Sequence, residues 1–153
     1  PGERFEAVRH ADPRVESPLD FHQRMVSVQA FELHAESVLL VQINKRIRNI
    51  LRKAGGGTVP ADPDPAYFQQ DEESALHSAC GRLGETLDEA VASGKYEQGL
   101  KALLDLQQPL NAFFDQVLVM AEDETIKRNR LSLLQALQMQ MRRIADLSHL
   151  SAG

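Results

Sequence analysis

The amino-acid sequence predicts an all-α domain, a bundle of about six to seven helices. Leu, Gln and Glu are abundant and runs of β-branched residues are few, which favours helix over strand. Apolar residues recur at helical spacing, and no segment alternates with a period of two or repeats at a fixed interval. The 153 residues suit one domain, residues 1–153, that is long enough to bury a sizeable core. Because Trp is absent, that core must be largely aliphatic.

Capping residues set the bounds of the helices in the first third of the chain. Ser17 can cap a helix over about residues 18–33, because Pro18 suits the first helical position. A second helix covers about residues 35–54 and ends at a run of three glycines, which cannot hold a helix. Glycines and then prolines mark residues 55–67, so a flexible surface linker is predicted there.

The remainder of the chain predicts four more helices. Three acids that begin at Asp71 favour the positive end of a helix, which Gly94 ends. A short helix follows from Tyr96, and Pro109 is expected to start another. The last and longest helix should span about residues 123–147, where neither Gly nor Pro interrupts the pattern.

The net charge of −5 is unevenly distributed along the chain. Residues 37–61 hold five bases and no acid, and residues 125–145 hold five more bases and again no acid. Residues 62–124 hold fourteen acids and three bases. The total charge alone argues against binding of nucleic acid, but its segregation leaves two basic helices as candidate surfaces.

The predicted helix over residues 35–54 separates apolar from basic side chains. At about 100° per residue, its Leu and Ile residues fall on one side and its bases on the other. An all-positive face gains nothing from internal pairing, and it makes more sense if a polyanion neutralises it. The alternative is a solvated face whose bases reach acids on neighbouring helices. The face consists of Lys45, Arg46, Arg48, Asn49, Arg52 and Lys53.

The last predicted helix holds one base, Arg130, within its apolar face. A buried guanidinium must be paired, because its desolvation costs several kcal/mol. We therefore expect Arg130 to be structural and to be held by a carboxylate such as Asp115, Glu122 or Asp123. The other bases of this region are expected to be exposed and to be better contact candidates: Arg128, Arg142 and Arg143.

Two adjacent phenylalanines, Phe113 and Phe114, lie on the predicted helix that precedes the last one. Exposed aromatic rings can offer a stacking surface for nucleic-acid bases. Apolar stripes at helical spacing are more often packing, so we expect at least one of the two rings to belong to the core.

The sequence contains no recognisable pattern for catalysis or metal binding. Its five histidines lack metal-ligand spacing, and Cys80, the single cysteine, cannot form an internal disulfide and is expected to be buried. No P-loop, dinucleotide fingerprint or nucleophile elbow is present. No apolar run approaches the roughly 20 residues that span a bilayer. We therefore predict no catalytic residue, no metal site and no membrane association, in a chain suited to the cytoplasm.

Several linked motifs resemble one family. Residues 44–51 read NKRIRNIL and resemble the NKRIxNIL stretch of the bacterial glycyl-tRNA synthetase β subunit. Residues 113–120 resemble its FFDxVMVM segment, and residues 122–134 resemble its EDExxRxNRLxLL segment. Residues 144–148 are similar to its xADxS ending. The motifs occur in the right order, and the resemblance covers about residues 4–150.

The resemblance implies an anticodon-binding domain of the DALR type, a helical bundle at the C-terminus of the β subunit. The parent enzyme is a ligase that joins glycine to its tRNA with ATP and Mg²⁺, and its catalytic residues lie in the α subunit. This chain would then be a non-catalytic piece of a longer protein, without a cofactor of its own. Its implied partners are glycine tRNA and, in the parent enzyme, the catalytic α subunit.

Under this hypothesis the basic residues pair with tRNA phosphates, while Asn44 or Asn49 reaches base edges in an unstacked loop. The second hypothesis is a helical protein-interaction module that docks the synthetase subunits or another acidic partner. The third is a helical spacer that binds nothing. The residues predicted to contact tRNA are Asn44, Lys45, Arg46, Arg48, Asn49, Arg52, Lys53, Arg128 and Arg142.

Overall fold

The computed structural model describes residues 2–55 and 62–151 of the chain. In that part of the chain all regular secondary structure is helical, which confirms the predicted all-α bundle. None of these helices is both long enough and apolar enough to cross a membrane. Two short 3-10 helices span Pro65–Tyr67 and Leu147–His149. The α-helices are α1 (Gly2–Arg9), α2 (Pro18–Glu32), α3 (Ala35–Lys53), α4 (Asp71–Ser93), α5 (Tyr96–Leu104), α6 (Gln107–Gln116) and α7 (Glu124–Met141).

Local capping accounts for most of the helix ends that the sequence predicts. Ser17 Oγ accepts a hydrogen bond from the backbone N–H of Asp20 at 3.4 Å, and α2 begins at Pro18. The chain leaves α3 through Gly55, with φ +96°, and leaves α4 through Gly94, with φ +70°. Glycine adopts this left-handed conformation without steric cost, so both helices end where the sequence predicts.

Helix α6 begins at Gln107 and not at Pro109 as the sequence predicts. Proline fits any position in the first turn, because the N–H groups of that turn have no partner within the helix. A proline in this position therefore shows that a helix begins nearby, without fixing which residue is first.

The last helix is shorter than predicted, because α7 ends at Met141. The chain bends there without a glycine, since side chains and backbone from other helices satisfy its polar groups. Arg24 on α2 donates from Nη1 to the carbonyl oxygens of Arg143 at 2.7 Å and Ile144 at 3.2 Å. The backbone N–H of Asp146 donates to a carbonyl oxygen of α1 at 2.7 Å. These contacts replace the helical hydrogen bonds that would have continued α7.

Helix α7 lies at the centre of the bundle. Residues 130–134 are all buried, so the middle of α7 is covered on every side. Helix α4 packs against α5, α6 and α7, while α3 packs against α7. The C-terminal 3-10 helix packs against α1 and α3 and closes that side of the core. The buried side chains are mainly Leu, Val and Ile, as the composition predicts.

Part of the predicted linker at residues 55–67 is fastened to α7. The backbone N–H of Asp64 donates to Asn129 Oδ1 at 2.7 Å, and Asn129 Nδ2 donates to the carbonyl oxygen of Asp64 at 3.0 Å. Asp64 also caps the first 3-10 helix through a hydrogen bond from the backbone N–H of Ala66 at 2.9 Å. Residues 56–61, on which the linker prediction also falls, lie outside the described residues.

Cys80 is buried on α4, as the sequence predicts. Burial raises the pKa of its thiol to about 11, because a thiolate would lose its hydration there. The side chain therefore acts as a small apolar core residue.

Candidate nucleic-acid interface

Helix α3 holds its bases away from the core. Its apolar side packs into the bundle, with Leu40, Val41 and Ile47 buried. This placement follows from the helical spacing of its Leu, Val and Ile residues, as the wheel geometry predicts. Lys45 is half-buried, and the exposed polar side chains of the second half of α3 are Arg46, Arg48, Asn49, Arg52 and Lys53.

No carboxylate of the described part of the chain lies within 4 Å of a base of α3, although Lys45 adds to the hydrogen bonds from Ser151 in lowering the pKa of the exposed Glu3 carboxyl on α1. The ion pairs of residues 2–55 and 62–151 involve none of these five bases. Their hydrogen bonds and ring contacts are made instead with neutral groups. The basic side of α3 therefore keeps its positive charge, which a polyanion would neutralise. We call this side the α3 face, and it consists of Lys45, Arg46, Arg48, Asn49, Arg52 and Lys53.

Two bases of the α3 face contact the segment that follows α7. Lys45 Nζ donates to the carbonyl oxygen of Leu150 at 2.9 Å, and Arg48 Nη1 donates to Ser148 Oγ at 2.6 Å. Both acceptors are uncharged, so the bonds orient the two cations without cancelling their charge. They also connect α3 to the C-terminal 3-10 helix.

Arg46 lies on the side of the α3 face that meets α6. Its Cζ atom lies over the ring of Phe114, 4.1 Å from the centroid, which is a cation–π contact. Phe114 is half-buried and meets Phe113 edge-on, with 5.6 Å between the ring centroids. Phe113 is fully buried, which confirms that at least one of the two rings belongs to the core.

The C-terminal turn of α3 presents Asn49, Arg52 and Lys53 to solvent. Arg52 Nη2 donates to Asn49 Oδ1 at 3.3 Å, so the arginine orients the amide. Bases in the last turn are also favourable for the helix itself, because that end of the helix dipole is negative. All three polar side chains are exposed, so a ligand can reach this end of the α3 face.

Asn44 does not belong to the α3 face, and its assignment as a tRNA contact is wrong. Its side chain is only 1% exposed, and its Oδ1 atom has no hydrogen-bond partner among the described residues. It lies three residues after Val41 and three before Ile47, on the buried stripe of the helix. The same helical spacing of about 100° per residue that places the bases in solvent therefore places Asn44 in the core.

The bases at the start and end of α7 differ from those of α3. Arg128 is exposed and lines a cleft with Asp64 and Tyr67. Arg142 lies at the C-cap, where its Nε is 3.5 Å from Asp146 Oδ2. Arg143 Nη2 bonds to Asp88 Oδ1 of α4 at 2.6 Å, and the side chain is only 22% exposed. The expectation that Arg143 is an exposed contact residue is therefore wrong, because it links α4 to the end of α7.

Arg130 is buried and ion-paired, as the sequence predicts, but its partner is Glu73. Arg130 Nε donates to Glu73 Oε1 at 2.9 Å, and Arg130 Nη1 donates to the carbonyl oxygen of Leu118 at 2.8 Å. The three expected partners, all close in sequence, are wrong because Glu73 comes from α4, which packs across α7. Burial alone would raise the pKa of Glu73, but hydrogen bonds from Arg130 and two backbone N–H groups hold that pKa below the usual value for glutamate.

Glu73 serves two elements at once. Its Oε2 accepts the backbone N–H groups of Gln69 at 2.9 Å and Gln70 at 3.0 Å, which caps the start of α4. The acidic start of α4 suggested a favourable helix end but not a buried ion pair. Arg24, the other buried base, which the sequence patterns did not single out, lies one turn after Asp20 and bonds to its Oδ2 from Nε at 3.1 Å. That i,i+4 spacing was the available signal.

The fold and the basic α3 face agree with the family that the chain matches. Residues 41–151 match the DALR anticodon binding domain family, and the chain belongs to that family. The match begins within α3 and includes its basic half, α4 to α7 and the C-terminal 3-10 helix. The family resemblance that the sequence motifs indicated is confirmed.

The similar curated proteins are glycine–tRNA ligase beta subunits. The protein from Vibrio atlanticus (strain LGP32) is 43% identical over 135 residues, which is 88% of this chain and 20% of that protein. The protein from Ectopseudomonas mendocina (strain ymp) is 40% identical over 144 residues, which is 94% of this chain and 21% of that protein. This chain thus spans about a fifth of the length of the curated relatives it matches.

Proposed function

We propose that this chain is a tRNA-binding domain that recognises the anticodon region of glycine tRNA. The observation that carries the proposal is the exposed basic face of α3, which lies within the family match and has no ion-pair partner among the described residues. Apart from Glu3 of α1 near Lys45, the neighbouring helices supply no carboxylate to this face in the described chain, and an RNA loop would supply the negative charge. Phosphate contacts supply most of the affinity of such an interface.

The α3 face divides the work of recognition. Arg48, Arg52 and Lys53 contact backbone phosphates, together with Lys45 from its bonded position. Asn49 reads a base edge by donating from its amide NH₂, because its Oδ1 already accepts from Arg52 and single-stranded loops expose acceptors on their base edges. This assignment keeps Asn49 and omits Asn44, which is buried.

The relatives extend the proposal to the parent protein. Since they are beta subunits of glycine–tRNA ligase, the chain would be a non-catalytic part of a cytoplasmic ligase that uses ATP and Mg²⁺. The catalytic residues would lie in the α subunit, which would be the protein partner of the whole β subunit. The role of this domain would be to position the tRNA.

The test is binding of glycine tRNA to this chain, measured by fluorescence anisotropy over a range of salt concentrations. The double variant Arg52→Ala/Lys53→Ala should weaken binding and reduce the salt slope by about 0.7 for each single-strand phosphate that the variant no longer neutralises. The control is Lys95→Ala/Lys101→Ala, which removes the same charge from two exposed positions, the N-cap of α5 and α5 itself. The control should leave the slope unchanged.

A second arm tests whether the anticodon itself is read. Glycine tRNA with a scrambled anticodon should bind more weakly than the native tRNA. Equal binding of the two would overturn anticodon reading. If charge reversal at Arg48 and Arg52 weakened assembly with the α subunit and left tRNA affinity unchanged, the α3 face would be a protein-docking surface instead.

A further inference from the structure

We propose that Arg46, seated on the ring of Phe114, is the platform on which one unpaired base of the bound RNA stacks. This inference rests on the proposed function and assigns one subsite within it. The ligand of the subsite is a nucleobase that is not paired within the RNA. Arg46 is thus separated from the other bases of α3, which contact phosphates.

Among the bases of the α3 face in the described chain, Arg46 differs from the others in the group that its side chain contacts. Lys45 and Arg48 bond to oxygen atoms, whereas the Cζ atom of Arg46 lies 4.1 Å from the centroid of the Phe114 ring. The ring is itself supported by the buried Phe113. Arg46 nevertheless remains exposed. The guanidinium of Arg46 thus lies over the ring of Phe114 in a side chain that is otherwise open to solvent, so a base can approach it from the side away from the ring.

This arrangement suits a base better than it suits a phosphate. A guanidinium is planar and weakly hydrated, so it stacks on aromatic systems, and unpaired bases stack on arginine planes in RNA complexes. A base placed on the outer face would complete a stack of ring, guanidinium and base. Because Phe114 already holds the guanidinium in position, less side-chain freedom is lost on binding than for an unsupported arginine.

Asn49 lies beside the platform, three residues further along the same helix. Residues at this spacing are neighbours, with about 5–6 Å between their Cβ atoms. Asn49 Oδ1 already accepts a hydrogen bond from Arg52 Nη2 at 3.3 Å, which leaves the amide NH₂ to act as a donor. The amide can therefore donate to a carbonyl oxygen or a ring nitrogen on the edge of the stacked base, and every nucleobase carries such an acceptor.

The first arm of the test compares two conservative variants. Arg46→Lys removes the planar group and keeps the charge, and its matched control, Arg48→Lys, makes the same exchange at another exposed position of α3. Arg46→Lys should weaken binding of the glycine tRNA anticodon stem-loop by about 5- to 150-fold, the range for loss of one stacked base. Arg48→Lys should change it far less. Unchanged urea midpoints would show that both variants fold.

The second arm changes the RNA, so it cannot be affected by misfolding of the protein. The stem-loop carries a single abasic nucleotide at each loop position in turn. At the stacked position, the abasic RNA should bind wild type more weakly by the same factor and should show no further loss with Arg46→Lys, because both changes remove one interaction. Phe114→Leu, which keeps an apolar side chain and removes the ring, should weaken binding of the intact loop and show the same non-additivity.

The outcomes separate this inference from the function on which it rests. If Arg46→Lys and Arg48→Lys cost the same, or if no abasic position is non-additive with Arg46→Lys, the platform is wrong while tRNA binding stands. If the stem-loop binds without dependence on Arg52 and Lys53, the proposed function fails and the platform fails with it. A single non-additive position would establish the platform and identify the stacked base.

Discussion

Helices α3 and α7 lie in the two basic stretches of the sequence, but the basic side chains of the two stretches have different surroundings in the fold. The bases of α3 are outside the core, where their described contacts are to neutral groups. On α7, Arg130 is buried and pairs with Glu73. Just beyond α7, Arg143 pairs with Asp88. The bases of α3 thus remain available to a ligand, while two from the α7 region hold the bundle together.

The difference shows what a count of bases along the chain leaves out. Both stretches hold five bases and no acid, so their local compositions cannot distinguish them. What separates them is the angle of each base to the apolar stripe, and the presence of acids on α4, which packs across α7. Availability to a ligand is therefore a property of the packed bundle and not of the helix alone.

The largest expected effect comes from breaking the buried pair. Arg130→Met should lower the free energy of unfolding by about 3–5 kcal/mol, because it leaves the charge of Glu73 buried without its partner. Urea unfolding followed by circular dichroism measures the change.

The control for this variant is Lys53→Met, which removes an exposed base from α3. It should change stability by no more than about 0.5 kcal/mol, as is usual for surface substitutions. If both variants cost the same, the contrast between a structural and an available base would be wrong. At temperatures where Arg130→Met is folded, its tRNA affinity should be close to that of wild type.

The second effect is the pH dependence of the stability that the Arg130–Glu73 pair contributes. The pKa of Glu73 is below the usual glutamate value in the folded chain, so its ionised form stabilises the fold. That contribution is complete above the pKa of glutamate in the unfolded chain and is lost as the pH falls through the lower folded pKa. The stability gap between wild type and Glu73→Gln should therefore narrow as the pH falls from about 7 to about 3. A gap that stays constant over this range would show that Glu73 is not ionised in the fold.

Most of the fold could be predicted from the sequence because its signals are local. Ser17, Pro18, Gly55 and Gly94 mark helix ends through their own backbone and side-chain preferences, and the structure follows them. Helical spacing of apolar residues likewise placed the bases of α3 in solvent. The end of α7 could not be predicted in this way, because Arg24, which is remote in sequence, bonds to the carbonyl oxygens that follow it.

In the candidate site, too, local features could be predicted from the sequence and contacts between helices could not. The helical spacing grouped the exposed bases of α3, but the tRNA assignment also included Asn44 as a reader of base edges, although its spacing puts it on the buried stripe. The seat of Arg46 on Phe114 could not be foreseen, because it depends on how α6 packs against α3. The same holds for the choice of Glu73 over Asp115, Glu122 or Asp123 as the partner of Arg130.

A smaller effect is expected from Arg143, which tests whether the basic residues beyond α7 serve structure. Its partner Asp88 is largely exposed, so water and salt screen the pair. Arg143→Met should therefore lower the unfolding free energy by at most about 1 kcal/mol. The salt slope of tRNA binding should not change. A reduced slope would move Arg143 into the binding surface, beside the bases of α3.

The smallest effect on stability is expected at Asn44, which separates the two asparagines of α3. Asn44 Oδ1 is buried without a hydrogen-bond partner, so Asn44→Leu removes a desolvated acceptor and keeps a similar volume, at a net change of about 1 kcal/mol or less. Its tRNA affinity should equal that of wild type. Asn49→Leu, at an exposed position, should leave stability nearly unchanged and weaken tRNA binding. Weaker binding by folded Asn44→Leu would instead show that the core of α3 opens towards the RNA.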